Sequence, residues 1–111
     1  MKIVSLKNLP EEQNSHNPQI TKKVMIKNGE VPHLTNLTQA TFPPGVLANE
    51  HTHQDMYEIF FIEKGSANIK INGKSYKMEI GDCMTVEPGD AHEVSNSGES
   101  DLIITYMGVE I

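Results

Sequence analysis

The chain has no arginine: all nine of its cationic side chains are lysines, set against 15 Asp plus Glu, for a formal charge of -6 over 111 residues. An acidic surface without the guanidinium fork that grips phosphates and base edges excludes nucleic acid as a natural partner. It has a single cysteine, Cys83, which rules out an internal disulfide and agrees with a reducing compartment. Set in a short apolar run, Cys83 is expected to pack as a small core residue rather than to act as a thiol. No apolar run approaches the ~20 residues of a membrane helix, and Met1 to Pro10 lacks the apolar centre of a signal peptide, so a cytoplasmic, membrane-free protein is expected. Nor is there a helix-length amphipathic segment, and the polar, proline-punctuated residues 1–22 offer no helix-turn-helix periodicity.

What is present is one domain's worth of strands. A chain of this length buries roughly 65% of the surface exposed by its unfolded form, enough for a core without disulfides. From about Val24 onward, short runs rich in Val, Ile, Thr, Tyr and Phe are punctuated by Asn28-Gly29, Pro43-Pro44-Gly45, Lys64-Gly65, Asn72-Gly73, Gly81-Asp82, Pro88-Gly89-Asp90 and Asn96-Ser97-Gly98. About eight strands are expected between them. Ile69 to Met78 alternates around Asn72-Gly73 and predicts a hairpin closed by a two-residue turn. Residues 1–22 read as an N-terminal arm or edge element outside the core, and residues 23–111 as the folded domain. Many short strands without helices leave a sandwich or a closed barrel open as architectures.

The chemistry-bearing pattern is histidine-centred. His51 and His53 stand two apart, so on a strand both imidazoles face one side. Glu58 opens the run Glu58 to Ile62 after a short polar link, and a hairpin there returns its carboxylate toward the same side. His92 begins a further strand after Pro88-Gly89-Asp90-Ala91. Three imidazoles and one carboxylate make a set with open positions suited to a divalent ion: Fe, Mn, Ni, Zn or Cu.

These residues resemble the cupin superfamily. Its first motif, G-x5-H-x-H-x3,4-E-x6-G, is matched at every fixed place by Gly45, His51, His53, Glu58 and Gly65. Its second, G-x5-P-x-G-x2-H-x3-N, is matched by Gly81, Gly89, His92 and Asn96, with Glu87 where the family prefers proline. Fifteen residues separate Gly65 from Gly81, the short link of compact single-domain cupins, and the resemblance runs from about Val24 to Met107. It implies an all-β fold, an antiparallel jelly-roll (double-stranded β-helix) barrel of six to eight strands over residues 23–111. It further implies that His51, His53, Glu58 and His92 are the metal ligands, inside one end of the barrel. Gly45, Gly65, Gly81 and Gly89 sit where turns need positive φ or close backbone approach.

Other residues carry plainer expectations. Phe60 and Ile62 share the parity of Glu58 and should line the interior, while Ile59 and Phe61 face outward. A strand apolar on both faces must be covered on both, by another strand layer or by another subunit, and the resemblance to small cupins implies a homodimer formed through a sheet face. His16, in the polar arm, and His33, after a proline, read as solvated. Gln54, Asp55 and Tyr57 lie beside the ligands, where reaching a substrate and forming a solvated turn are equally open.

The open metal positions suit a metal-dependent enzyme acting on a small oxygenated organic molecule, as a dioxygenase or as a sugar isomerase or epimerase. The alternative is a non-catalytic module that binds or senses a small molecule. Without arginine, a phosphosugar substrate fits less well.

Overall fold

The structure, a computed structural model, describes residues 1–111 and contains ten strands: β1 (Glu12–Gln13), β2 (Thr21–Ile26), β3 (Leu34–Phe42), β4 (Leu47–His51), β5 (Met56–Lys64), β6 (Ala67–Ile71), β7 (Lys74–Met78), β8 (Cys83–Val86), β9 (His92–Asn96) and β10 (Leu102–Glu110). A single 3-10 turn, Leu6–Asn8, is the only helical element, and no helix is long and apolar enough to cross a membrane. The strands form a six-stranded sheet, β1-β2-β3-β10-β5-β8, and a four-stranded sheet, β4-β9-β6-β7. Every pairing is antiparallel. The jelly-roll architecture implied by the resemblance is therefore observed. Ten strands exceed the expected six to eight, and one of the extra ones, the two-residue β1, had no signal because nothing in Glu12-Gln13 alternates.

Period-two alternation selects the inner face of each sheet. On β5, Glu58, Phe60 and Ile62 are buried while Phe61 stays 42% exposed, as the parity argument requires. On β10, Leu102 and Ile104 point inward beside Ala40 and Phe42 of β3. Ala48, Ile69, Met78 and Val94 meet them from the smaller sheet, so a single apolar cluster joins the two layers. Burying each large aliphatic side chain there contributes about 1.5–3 kcal/mol.

Two expectations are corrected. Cys83 is exposed rather than packed in the core. Its register partner is Phe61, so both project from the outer face, whereas the next pair, Met84 and Phe60, points inward. Ile20, in the segment read as lying outside the core, is fully buried. Its amide donates to Asn17 O at 3.0 Å and its carbonyl accepts from the Asn14 amide at 2.8 Å, folding residues 14–20 back onto the barrel.

The turns follow their chemistry. Ile71 pairs with Lys74 around Asn72 (φ 50) and Gly73 (φ 83), the two-residue hairpin the sequence predicts. Gly45, Gly65, Gly81 and Gly89 all have positive φ. Gly65 is the most constrained of them, because a Cβ there would stand 2.6 Å from Asp101 O. Two similar turns flank β8. In Glu79-Ile80-Gly81-Asp82 and Glu87-Pro88-Gly89-Asp90, the Asp amide donates to the Glu carbonyl (2.9 and 3.1 Å) and the Asp carboxylate accepts from the Glu amide (2.8 and 3.0 Å). Glu87 thus supplies an N–H that proline would lack, which explains how the turn tolerates the departure from the family pattern.

Candidate metal centre

The four motif residues come together at one end of the barrel. His51 closes β4 and is the register partner of His92, the first residue of β9, across a bulge that follows Ala48. His53 lies beyond the end of β4, so strand alternation does not by itself deliver it; the link does. The Gly89 amide donates to His53 O at 2.8 Å, tying the link to the turn that precedes His92. Glu58, on the inner face of β5, completes the set.

One carboxylate oxygen is the hub. Glu58 Oε1 lies 2.8 Å from His92 Nε2, 3.1 Å from His53 Nε2 and 3.7 Å from His51 Nε2. The four candidate ligand atoms all fall within 4.8 Å of one another. Glu58 and His92 are buried, whereas His51 and His53 keep about a quarter to a third of their side-chain surface open (24% and 31%).

Two backbone carbonyls fix the tautomers. His51 Nδ1 lies 3.0 Å from Asn49 O, and His92 Nδ1 lies 3.1 Å from Asp90 O. A carbonyl only accepts, so each Nδ1 carries a hydrogen, and each Nε2 is left facing Glu58 to share a proton with it or to offer its lone pair. Lone pairs and a carboxylate converging on one point require a cation between them, whether protons or a metal ion. The carboxyl responds accordingly: burial pushes it up, but the surrounding imidazoles outweigh burial and hold it at about 2. The Glu58 carboxylate in turn raises His51, with burial opposing it. The donor set thus fits a divalent transition metal, which His51, His53, Glu58 and His92 would hold.

That interior is a cavity of about 190 Å³. Apolar side chains from both sheets, among them Phe42, Phe60, Val94 and Ile104, line its belly, and Lys22, Asn36 and Tyr106 add polar groups. Burial, with the Glu58 charge adding to it, pushes the Tyr106 phenol up to about 12, so it stays protonated as a potential donor.

Of the residues judged open, Gln54, Asp55 and Tyr57 do not line the cavity. Tyr57 projects from the outer face and is 39% exposed, and Asp55 O accepts the Ile111 amide. His33 sits in a loop at φ 69, away from the cluster. His16 stays outside the ligand set but is not simply solvated, since its ring stacks on His51 at 4.5 Å between centroids and lines the cavity mouth.

Three supporting groups were not assigned these roles from the sequence. Tyr106 could have been placed by its parity with Leu102 and Ile104. Asn72, seen only as a turn residue, grips the loop before His92: its side chain donates to Asp90 Oδ1 and accepts from the Ala91 amide, both at 2.9 Å. Asn96, the last motif residue, donates to Phe42 O and Ser100 O at 2.9 and 2.8 Å and accepts from the Gly98 amide.

Comparison with known proteins agrees with this architecture. An oxalate-binding protein of Thermotoga maritima is 33% identical over 60 residues, which cover 54% of this chain and 50% of that protein. The match therefore spans only half the length of that relative. Among solved structures, a predicted oxalate decarboxylase from Thermotoga maritima superposes with a TM-score of 0.93 at 20% identity, over 99% of this chain and 100% of that one. A sugar phosphate isomerase of the cupin superfamily from Silicibacter pomeroyi superposes at 0.85 with 15% identity, over 99% of this chain and 76% of that one. At such identities the likeness shows the fold. The family model for the cupin domain matches residues 38–108; with the facing sheets and the converged histidines, that match makes this chain a member of the cupin family.

Proposed function

We propose that this cupin is a metal-dependent enzyme acting on a small oxygenated organic molecule, with His51, His53, Glu58 and His92 as its metal ligands. The observation that carries the reading is the convergence of three imidazole Nε2 atoms on Glu58 Oε1 at the edge of a cavity. A bound divalent ion supplies Lewis acidity toward a carbonyl or enediolate, or a site for dioxygen. Isomerase or epimerase chemistry and dioxygenase chemistry are the two reaction classes this supports. The chain's own contribution is a cavity walled in part by apolar side chains and a protonated Tyr106 lining it. Iron, manganese, nickel, zinc and copper all suit the donor set.

A second reading, a non-catalytic module that holds a small molecule at the same metal, is supported by the relative named as an oxalate-binding protein. Purification without chelators or an immobilised-metal column, followed by metal analysis, oxygen-uptake assays and turnover assays, separates the two. Bound metal with turnover supports the enzyme. Bound metal with tight ligand binding and no turnover across a broad panel supports the binding module, and absence of metal uptake removes both.

We also infer a homodimer formed through the outer face of the six-stranded sheet. Leu37, Met107 and Ile59 run side by side across β3, β10 and β5 there, next to the 42% exposed Phe61. A cytoplasmic location is supported by the unpaired, exposed thiol of Cys83, which suits a reducing compartment.

A further inference from the structure

The cavity holds a positive charge that the metal site does not explain. Lys22 lies on β2 as the register partner of Ala40, which is only 1% exposed on the inner face, so the lysine side chain starts out toward the barrel interior and lines the cavity. It makes no hydrogen bond or ion pair. Lys2 pairs with Glu30, Lys77 with Glu79, and Lys23 donates to Leu6 O. Even Glu12, its register partner on β1, is exposed and forms no ion pair with it. Holding a half-buried lysine side chain toward the cavity costs side-chain freedom, and a ligand's anionic group would compensate for it.

Charge and shape narrow the ligand. A divalent ion, the Glu58 carboxylate and the Lys22 ammonium together leave two net positive charges facing one space, which a dianion neutralises. The remaining walls between the ligand cluster and Lys22 are largely apolar, with Ala40, Phe42, Val94 and Ile104 among them. A ligand with a short hydrocarbon spacer satisfies that belly better than two directly joined carboxyl groups do. The volume, about 190 Å³, lies below the ~300–1,000 Å³ of cavities that hold drug-sized molecules. We propose that Lys22 is a specificity-determining residue and that the cavity takes a short aliphatic dicarboxylate, one carboxylate on the metal and the other on the Lys22 ammonium. This inference rests on the metal-centre reading of the proposed function.

The test is calorimetric titration of metal-loaded protein at fixed ionic strength and pH 7.5 with three matched pairs: malonate and propionate, succinate and butyrate, glutarate and valerate. In at least one pair the dicarboxylate binds about tenfold or more tightly than its monocarboxylate, the size of one charge-assisted contact. Lys22→Met, which keeps the stem and removes the charge, brings that ratio to within about twofold while metal content and melting temperature stay unchanged, and Lys22→Arg restores the preference. Metal-loaded protein with no preference in any pair, or a preference that survives Lys22→Met, overturns the inference and leaves the metal centre standing. A wild-type chain that takes up no metal overturns the metal centre and this inference together.

Discussion

Glu58 and His92, 34 residues apart in the chain, meet at 2.8 Å between Oε1 and Nε2 at the buried end of the barrel, and the other two imidazoles gather around that contact. His92 is 1% exposed and its Nδ1 is already committed to Asp90 O, so its ring has one free nitrogen and one direction in which to use it.

His92→Ala removes the candidate ligand contributed by β9. Metal affinity is expected to fall at least about 100-fold, beyond the 10- to 100-fold typical of losing a group that merely orients a ligand. Competition titration against a chromogenic chelator measures it, and unchanged affinity would refute the ligand role. His16→Ala, which unstacks a ring from His51 without removing a ligand atom, leaves the metal stoichiometry unchanged.

The metal-free and metal-loaded forms should differ in their pH dependence. Glu58, held at about 2, contributes stability that is fully present above its ordinary 4.5 and is lost as pH falls toward 2. His51 is shifted the other way, so its contribution is complete below its ordinary 6.5 and is lost as pH rises through its raised folded value. The metal-free protein therefore weakens at both ends. A bound cation replaces the His51 proton, so metal loading abolishes the alkaline loss, and metal uptake near pH 6.5 releases protons. Melting curves against pH, and titration in buffers of different ionisation enthalpy, check both outcomes.

Asn72→Ala strips two hydrogen bonds from the loop that carries His92 and places alanine at φ 50. A loss of about 1–3 kcal/mol in unfolding free energy is expected. Asn72→Gly accepts the backbone angle but still lacks the two bonds. If those bonds position His92, metal affinity falls in both variants; if only the backbone angle matters, the glycine variant matches wild type.

Gly65→Ala meets two obstacles at once, φ +81 and a backbone oxygen 2.6 Å from the new Cβ. Gly45→Ala meets only the first, with φ +77 and nothing within 4 Å. Denaturant unfolding should show a cost of about 1–2 kcal/mol at Gly45 and a clearly larger one at Gly65. Equal costs would mean that the Asp101 backbone gives way.

Phe61→Glu puts a charge on the outer face of the larger sheet without touching the core, because Phe61 is 42% exposed. Light scattering is expected to show a dimer for the wild type and a monomer for the variant, with metal content retained. A monomeric wild type removes the dimer from consideration.

Strand-rich character, the Asn72-Gly73 hairpin and the choice of His51, His53, Glu58 and His92 as candidate ligands were legible in the sequence. Each is written in local spacing: period two in β5, an Asn-Gly pair between alternating runs, and turn glycines that set where each ligand strand begins. Tertiary structure decided which of a strand's two faces is the inside one, because alternation defines two faces without ranking them and pairing to neighbours chooses. That choice turned Cys83 outward with Phe61, aimed Lys22 inward with Ala40, buried Ile20, and laid His16 on His51 across 35 residues of chain. None of those four has a local signal, since each depends on which strand ends up beside which.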